Sequence, residues 1–373
     1  MKIVSLKTDG FKNLKNIDIC FDGELNIFCG ENAQGKTNLI ENIWLCTGLK
    51  SFRGTKDKDF ICLNKETSFT ELVFEDSFRE QKINFNLSRQ NLKDKAVYLN
   101  GVKLKSPSKL FGALQCVIFT PEDLELSKGS PDNRRRFCDL SVSMIKKSYL
   151  GVINKYSDII DQRNRLLKNI AMGVSSRNEL FVWDEQLAKL GAYISVLRYA
   201  YVKKLGVIAG ELYKELSNGK EELTLSYNST VFESLDGRED YAGEMKEEYL
   251  SRLNDSVEED IRAGFTLKGV HRDDLVTYIN GLSSREYGSQ GQNRSVALVL
   301  KLAQAYILKD ELDDSPVILL DDVLSELDLS RQDFVLSKIK DMQVFITCCD
   351  MNEALMAGKK SRFLIKNGEA EKI

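Results

Sequence analysis

The chain contains a single histidine, His271, in 373 residues. That scarcity excludes a His-rich metal site and any chemistry that relays protons between imidazoles. The eight cysteines, at 20, 29, 46, 62, 116, 138, 348 and 349, include no CxxC pair. Several lie inside apolar runs, where cysteine behaves as a small hydrophobe. A disulfide framework is therefore not expected, and a reducing cytoplasm is. No apolar run approaches the ~20 residues needed to span a bilayer, and the N-terminus lacks the apolar core of a signal peptide. A membrane partner is not expected. Internal repeats and low-complexity tracts are absent, as is proline between Arg134 and Leu212. An excess of basic charge is missing too: 53 Lys and Arg stand against 56 Asp and Glu, a formal net charge of −3. Nucleic-acid-binding domains are usually strongly basic. If DNA is a partner, the basic groups must be gathered on one face.

What is present is the composition of a folded protein, 42% hydrophobic and 29% charged, long enough for one large domain or two ordinary ones. The first third reads as short strands, Ile3–Leu6, Ile17–Phe21 and Leu25–Cys29, then a helix over Lys36–Leu49. Alternating segments follow at Glu71–Glu75, Lys82–Leu87 and Ala96–Leu104, the last with Asn100-Gly101 at its centre, a strong hairpin signal. They predict an antiparallel layer, and Val117–Phe119 predicts one more strand. From Arg134 the apolar spacing becomes helical, most clearly at Leu180, Trp183, Leu187, Leu190, Ile194, Leu197, Tyr201, Leu205, Ile208 and Leu212. A looser stripe runs upstream through Phe137, Leu140, Met144, Val152, Tyr156 and Ile159, and Gly173–Ser176 supplies a turn. This middle region is either a helical hairpin or arm, or a plain helical domain on its own core. Beyond a strand at Leu223–Tyr227 and a polar helix near Met245–Ile261, β-type sequence returns. Asn280-Gly281 and Asn367-Gly368 predict two more tight turns, Arg294–Leu308 a helix, and Val317–Leu320 and Val344–Thr347 buried strands. The expected fold is α/β: one domain with a mixed sheet and an antiparallel β layer, interrupted by an inserted helical domain. The expected boundaries are 1–130, 131–260 and 261–373.

Residues 30–37, Gly30-Glu31-Asn32-Ala33-Gln34-Gly35-Lys36-Thr37, match G-x-x-x-x-G-K-[ST]. Each part has a task. The glycines let backbone N–H groups turn inward as an anion nest, and the following helix aims its positive end at phosphates. Lys36 reaches the β- and γ-phosphates of ATP, and the Thr37 hydroxyl holds Mg²⁺. Val317-Ile-Leu-Leu places Asp321 at the end of a buried strand, where it completes the Mg²⁺ shell. Asp322, one residue on, is the candidate to polarise the attacking water. Tyr287-Gly288-Ser289-Gln290-Gly291-Gln292 precedes a helix and makes a second anion-accepting end, or else a simple N-cap by Ser289. Since one phosphate pocket already exists at Lys36, a second such end suggests a site completed on another copy.

Together with Ser325-Glu326-Leu327-Asp328, these stretches resemble the ATP-binding-cassette set of Walker A, signature, Walker B and D-loop, in the expected order. Transporter ATPases place the signature much nearer Walker A, so the long separation of Thr37 from Ser289 resembles the DNA-maintenance branch. Structural-maintenance-of-chromosomes proteins carry coiled coils far too long for this chain. Leu6–Leu14, Ser51–Arg53, Phe119–Leu124, Lys128–Pro131 with Arg134–Phe137, Gly269–Asp274 (GVHRDD), Ser289–Arg294 and Asp321–Asp328 resemble the RecF family over nearly the whole chain. Val270 stands where that family usually has proline, and Asn293 where the signature usually continues with glutamine.

The resemblance implies ATP-dependent binding of single- and double-stranded DNA at gaps and junctions in recombinational repair, alongside RecR, RecO and RecA. It implies a head-to-tail homodimer in which Lys36 of one copy faces Ser289, Gln290, Gly291 and Gln292 of the other, with Ser325 and Asp328 in the D-loop. The switch histidine of transporter ATPases has no counterpart at Thr347-Cys348-Cys349-Asp350, so hydrolysis is expected to be slow. His271 is expected either at the nucleotide or dimer face, or in a structural role with Arg272 and Asp273. Lys12, Lys15, Arg53, Lys56, Arg134, Arg135 and Arg136 are candidate DNA contacts, each otherwise part of a solvated charged face. Arg53, just after the Walker A helix, alternatively points into the nucleotide site.

Overall fold

The computed structural model describes residues 1–90, 95–238, 240–349 and 360–373. Its elements begin with strands β1 (Lys2–Asp9), β2 (Ile17–Cys20) and β3 (Leu25–Cys29), helix α1 (Lys36–Leu45), then β4 (Thr67–Glu75), β5 (Glu80–Ser88), β6 (Ala96–Leu99), β7 (Val102–Lys103) and β8 (Cys116–Phe119). Next come α2 (Pro131–Ile145), α3 (Tyr149–Ala171), α4 (Phe181–Leu216), β9 (Leu223–Asn228), α5 (Glu244–Asp255), α6 (Val257–Ala263), β10 (Asp274–Ile279), β11 (Leu282–Ser283), α7 (Ser284–Tyr287) and α8 (Gln290–Leu312). The chain closes with β12 (Val317–Asp321), α9 (Leu329–Lys338), β13 (Val344–Cys348), β14 (Lys360–Lys366) and β15 (Glu369–Lys372).

Contacts divide these residues into two compact units, Met1–Leu124 with Lys301–Ile373, and Glu125–Leu300. The inserted unit thus runs further than the expected 131–260. β10 pairs antiparallel with β9 along its whole length, and this draws the GVHRDD stretch and the signature residues into the helical unit.

The first unit holds two sheets whose sequence patterns differ for a physical reason. The sheet β15-β14-β3-β13-β12-β8 is parallel from β14 to β8. Parallel strands covered on both faces read as unbroken apolar runs, and every residue of β8 and β12 is buried. Phe21, Phe28, Phe345 and Phe363 pack ring against ring in this core. The sheet β2-β1-β4-β5-β6-β7 is antiparallel. β4 and β5 alternate buried and open positions, as expected for strands buried on one face. The three Asn-Gly pairs read as turns, at 100–101, 280–281 and 367–368, form them, and Asn218-Gly219 turns in the same way. Both residues of each have positive φ, which the type I′ turn requires and Asn-Gly tolerates.

In the second unit the predicted helices are cut more finely than the apolar spacing suggested. The upstream stripe belongs to two helices, α2 and α3, and the polar helix breaks at Ser256 into α5 and α6. The α4 stripe buries Leu187, Ile194, Tyr201, Leu205 and Leu212. α4 packs on α3, on α5 and on β9, so the helices share a core with a small sheet. Arg163 lies in that core with no exposed surface, and its guanidinium reaches Asp184 (2.6 Å), Asp260 (2.6 Å) and Thr266 Oγ1 (2.9 Å). A buried charge persists only when it is paired in this way, and here the pairing ties α3, α4 and α6 together.

Candidate nucleotide site and signature helix

The phosphate loop lies between β3 and α1. Gly30 has φ 146° and Gly35 has φ 122°, conformations that side-chain-bearing residues rarely adopt. A Cβ on Gly30 would also sit 2.3 Å from the Ile365 carbonyl oxygen. No side chain caps the start of α1, so its first N–H groups face the loop without competition from the protein. The Lys36 ammonium, almost buried, donates to the carbonyls of Gly30 (2.5 Å) and Glu31 (2.9 Å). Those contacts hold its charge inside the loop, where β- and γ-phosphates would lie.

The loop is braced from far away in sequence. Asn13 Nδ2 donates to the Ala33 carbonyl (3.2 Å), and Asn38 Nδ2 donates to Asn13 Oδ1 (2.8 Å). The closing hairpin supplies Asn367 N–H to Gln34 Oε1 (2.6 Å) and Gly368 N–H to the Gln34 carbonyl (3.1 Å). Gly368 has φ 83°, and a Cβ there would fall 1.9 Å from the Asn13 carbonyl oxygen. The hairpin turn was legible in the sequence; its use as a buttress was not.

Asp321 ends β12, close enough to Thr37 for that hydroxyl to act on its carboxylate. Burial pushes the Asp321 carboxyl above its ordinary pKa, and the hydroxyls of Thr347 and Thr37 pull it back. Thr347, in register with Asp321 on β13, donates to Asp321 Oδ1 (2.9 Å) and accepts from Asp322 N–H (2.8 Å). Asp322 has φ 55°, and Ser325 Oγ donates to its carbonyl (2.7 Å). Asp328 caps α9 by accepting from Arg331 N–H (2.9 Å). One hydroxyl and one carboxylate side by side suit Mg²⁺, a hard cation that keeps waters and takes phosphate oxygens as further ligands. At the loop's mouth the Cys349 thiol donates to Asn32 Oδ1 (3.0 Å) and accepts from Lys36 Nζ (3.6 Å). Asp350, also expected in the switch region, lies outside the described residues.

Glu41, on α1, was not foreseen. It has no exposed surface, and it gathers Ser51 Oγ (2.5 Å), the Lys12 ammonium and the Arg53 guanidinium (3.8 Å). An acid inside an otherwise apolar helix stretch was the available signal, since a buried carboxylate needs such partners. Two expected DNA contacts thereby acquire another task. Lys12 is committed to Glu41. Arg53 leans on Glu41 and on Asn38 Oδ1 (3.2 Å), and its charge acts on Asp321. Lys15 and Lys56 are exposed.

The 134–136 cluster requires a correction. Arg134 is buried, paired through Nε and Nη2 with the Asp274 carboxylate (2.8 Å each), and donates through Nη1 to the carbonyls of Leu126, Ser127 and Gly129. It serves the irregular 126–129 backbone and is not on a DNA-facing surface. Arg135 is tethered to the Asp273 carbonyl (2.7 Å) and to Asp132, while Arg136 is exposed. Local charge density reads the same whether a guanidinium points in or out.

In the second unit Ser289 and Gln292 form a reciprocal capping box at the start of α8. Gln292 N–H donates to Ser289 Oγ (3.2 Å), and Ser289 N–H donates to Gln292 Oε1 (2.8 Å). Ser289 and Gln290 are exposed, and Gly291 and Gln292 are partly so. Asn293 donates through Nδ2 to the carbonyls of Gly288 (2.9 Å) and Ser289 (3.0 Å) and accepts from Ser127 Oγ (2.7 Å). His271 is embedded in the unit: Nε2 bonds the Thr266 carbonyl (3.0 Å), and Nδ1 meets Tyr156 Oη (3.1 Å), itself 2.8 Å from Tyr249 Oη. Burial lowers its pKa to about 4, so the ring is neutral, with the proton on Nε2. Val270 N–H donates to Tyr249 Oη (3.1 Å), a bond that proline has no hydrogen to make.

The geometry is that of a P-loop ATPase head of the chromosome-maintenance class. Residues 2–370 match the family described as the RecF/RecN/SMC N terminal domain. The chain is 39% identical to the DNA replication and repair protein RecF of Lachnoclostridium phytofermentans over 95% of its own length and 94% of that protein's. It is similar at 35% identity to two solved structures, the recombination mediator protein RecF with ATPrS (TM-score 0.91) and RecF with ATP (TM-score 0.89), both described as in the RecFOR pathway. It covers 98% and 97% of those chains, and they cover all of this one. The chain belongs to the RecF family. Among the described residues no helix is long and apolar enough to cross a membrane.

Proposed function

We propose that this chain is an ATP-driven DNA clamp of recombinational repair, closing as a head-to-tail pair when ATP is bound. The observation that carries the reading is the closeness of the Thr37 hydroxyl to the Asp321 carboxylate. It brings the end of the phosphate loop to the end of a buried strand from the other end of the chain, in the arrangement that ATP and Mg²⁺ require. Lys36 takes the β- and γ-phosphates, Thr37 and Asp321 hold the metal, and Asp322 orients water. Ser289, Gln290, Gly291 and Gln292 of a second copy complete the pocket, with Ser325 and Asp328 beside it. A ligand that binds only the closed pair drives closure by mass action. Hydrolysis is slow and releases the clamp. Lys15, Lys56 and Arg136, with Arg53 beyond its contact to Glu41, are the exposed candidates for phosphate contacts with single- and double-stranded DNA and their junctions. RecR, with RecO and RecA in the same pathway, are the proposed partners, and the cytoplasm the proposed location.

The test is DNA binding by gel shift with ATP, ADP and no nucleotide, for the wild type and Lys36→Ala. ATP-dependent binding lost in Lys36→Ala is expected; DNA association indifferent to nucleotide would sink the reading. A transport ATPase predicts no DNA binding in any state. A scaffold that only holds ATP predicts that Asp322→Asn leaves turnover unchanged, whereas the clamp predicts lost turnover and trapped pairs.

A further inference from the structure

We infer that Glu221 is a positioning residue for the ATP contact made in trans, tying the signature residue Gln292 to the last turn of helix α4. The inference rests on the composite site proposed above and extends it to a residue outside every motif.

Both ends of the Gln292 side-chain amide are hydrogen-bonded. Oε1 accepts from Ser289 N–H at 2.8 Å, and Nε2 donates to Glu221 Oε1 at 2.6 Å. The other carboxylate oxygen, Oε2, accepts from Tyr213 Oη at 2.8 Å. Tyr213 is 1% exposed, near the C-terminal end of the 36-residue helix α4. Glu221 is fixed through its backbone as well: its N–H donates to Ser217 Oγ (3.3 Å), and its carbonyl accepts from that same hydroxyl (3.3 Å). Tyr213, Ser217 and Glu221 therefore form a rigid post at the junction of α4 and β9, and Gln292 is fastened to it.

The consequence follows from the capping box. Gln292 closes over Ser289, whose hydroxyl is the group a γ-phosphate from a second copy would meet. Orientation of that amide decides whether the box opens toward the phosphate in one way or several. A charge-assisted bond to a carboxylate is about twice as strong as a neutral one, so Glu221 selects one orientation before ATP arrives. Because the post stands on α4, any partner that shifts α4 moves Gln292 with it. The helical unit and the trans contact are thereby linked through three side chains.

The experiment compares full-length wild type, Glu221→Ala, Glu221→Gln and Tyr213→Phe. ATP affinity of the single copy is measured at low protein concentration, pairing by sedimentation velocity with ATP, and turnover across ATP concentrations. Glu221→Ala is expected to weaken ATP-dependent pairing about tenfold, the size expected for losing one hydrogen bond to a charged group. Its single-copy ATP affinity is expected to stay within about twofold of wild type. Glu221→Gln retains a neutral acceptor for Gln292 Nε2 and is expected to recover most but not all of the pairing lost in Glu221→Ala. Tyr213→Phe, which removes only one hydroxyl, is expected to fall between them and stands in should Glu221→Ala fail to fold. Pairing by Glu221→Ala at or above the wild-type level overturns the inference and leaves the composite site standing. Absence of ATP-dependent pairing in the wild type overturns both.

Discussion

The phosphate loop and the signature helix both offer a helix N-terminus to a phosphate, yet the two ends are finished differently. α1 starts at Gly35 with no side-chain cap, and Lys36 already lies across the opening. α8 starts inside a reciprocal capping box, with Ser289 and Gln292 satisfying each other. A helix end left uncapped is unfavourable unless an anion is its intended partner. A capped end is stable alone, and the Ser289 hydroxyl, which accepts within the box, can still donate its own hydrogen to a phosphate. On the proposed reading, the loop holds nucleotide in a single copy, and the signature joins only when a second copy brings one.

The largest effect that sharpens this contrast is expected from Lys36→Ala. Loss of the buried ammonium should weaken ATP binding by about 100-fold in isothermal titration. Unchanged affinity would mean the loop is not the pocket. Next is Gly368→Ala, which strikes the buttress of the loop and nothing in the signature. Its Cβ would collide with the Asn13 carbonyl, at a backbone angle a side chain disfavours. A stability loss of about 2 kcal/mol is expected in thermal or urea unfolding, with weakened ATP binding, and neutral behaviour would show that the hairpin does not brace the loop. Ser289→Ala should cost about 1 kcal/mol as a lost cap while leaving single-copy ATP affinity unchanged. If that affinity falls with it, both ends serve one copy and the contrast breaks.

Which parts of this were legible in the sequence depended on distance along the chain. The phosphate loop, the Asn-Gly turns and the buried strands are local patterns, and their positions followed from them. Thr347 holds Asp321 and Asp322 through strand register, Glu41 collects Lys12, Ser51 and Arg53 across separate segments, and Asn13 meets Gly368 across the length of the chain. No local spacing encodes those meetings. Arg134 failed for the opposite reason: a run of arginines looks solvated, and the Asp274 that draws one of them inward lies far downstream. The helical region was legible as helix, but its extent was not, because β10 binds the stretch before the signature to β9.

The smallest effect concerns His271. Its folded pKa, about 4, lies below the ordinary 6.5 because burial disfavours the charged ring. The stability it contributes is fully present above about pH 6.5 and is lost as pH falls toward 4. Urea unfolding at several pH values should show a decline over that window that His271→Asn flattens. An unchanged pH slope in the variant would place the titrating group elsewhere.

The central claim is that each pocket is built from two copies. Lys36→Ala and Ser289→Ala are each expected to lose ATP turnover alone. Mixed, they can form a pair with one intact pocket, the loop from the Ser289→Ala chain and the signature from the Lys36→Ala chain. The account predicts that the mixture regains turnover well above the mean of the separate proteins. A mixture that performs at that mean would contradict it.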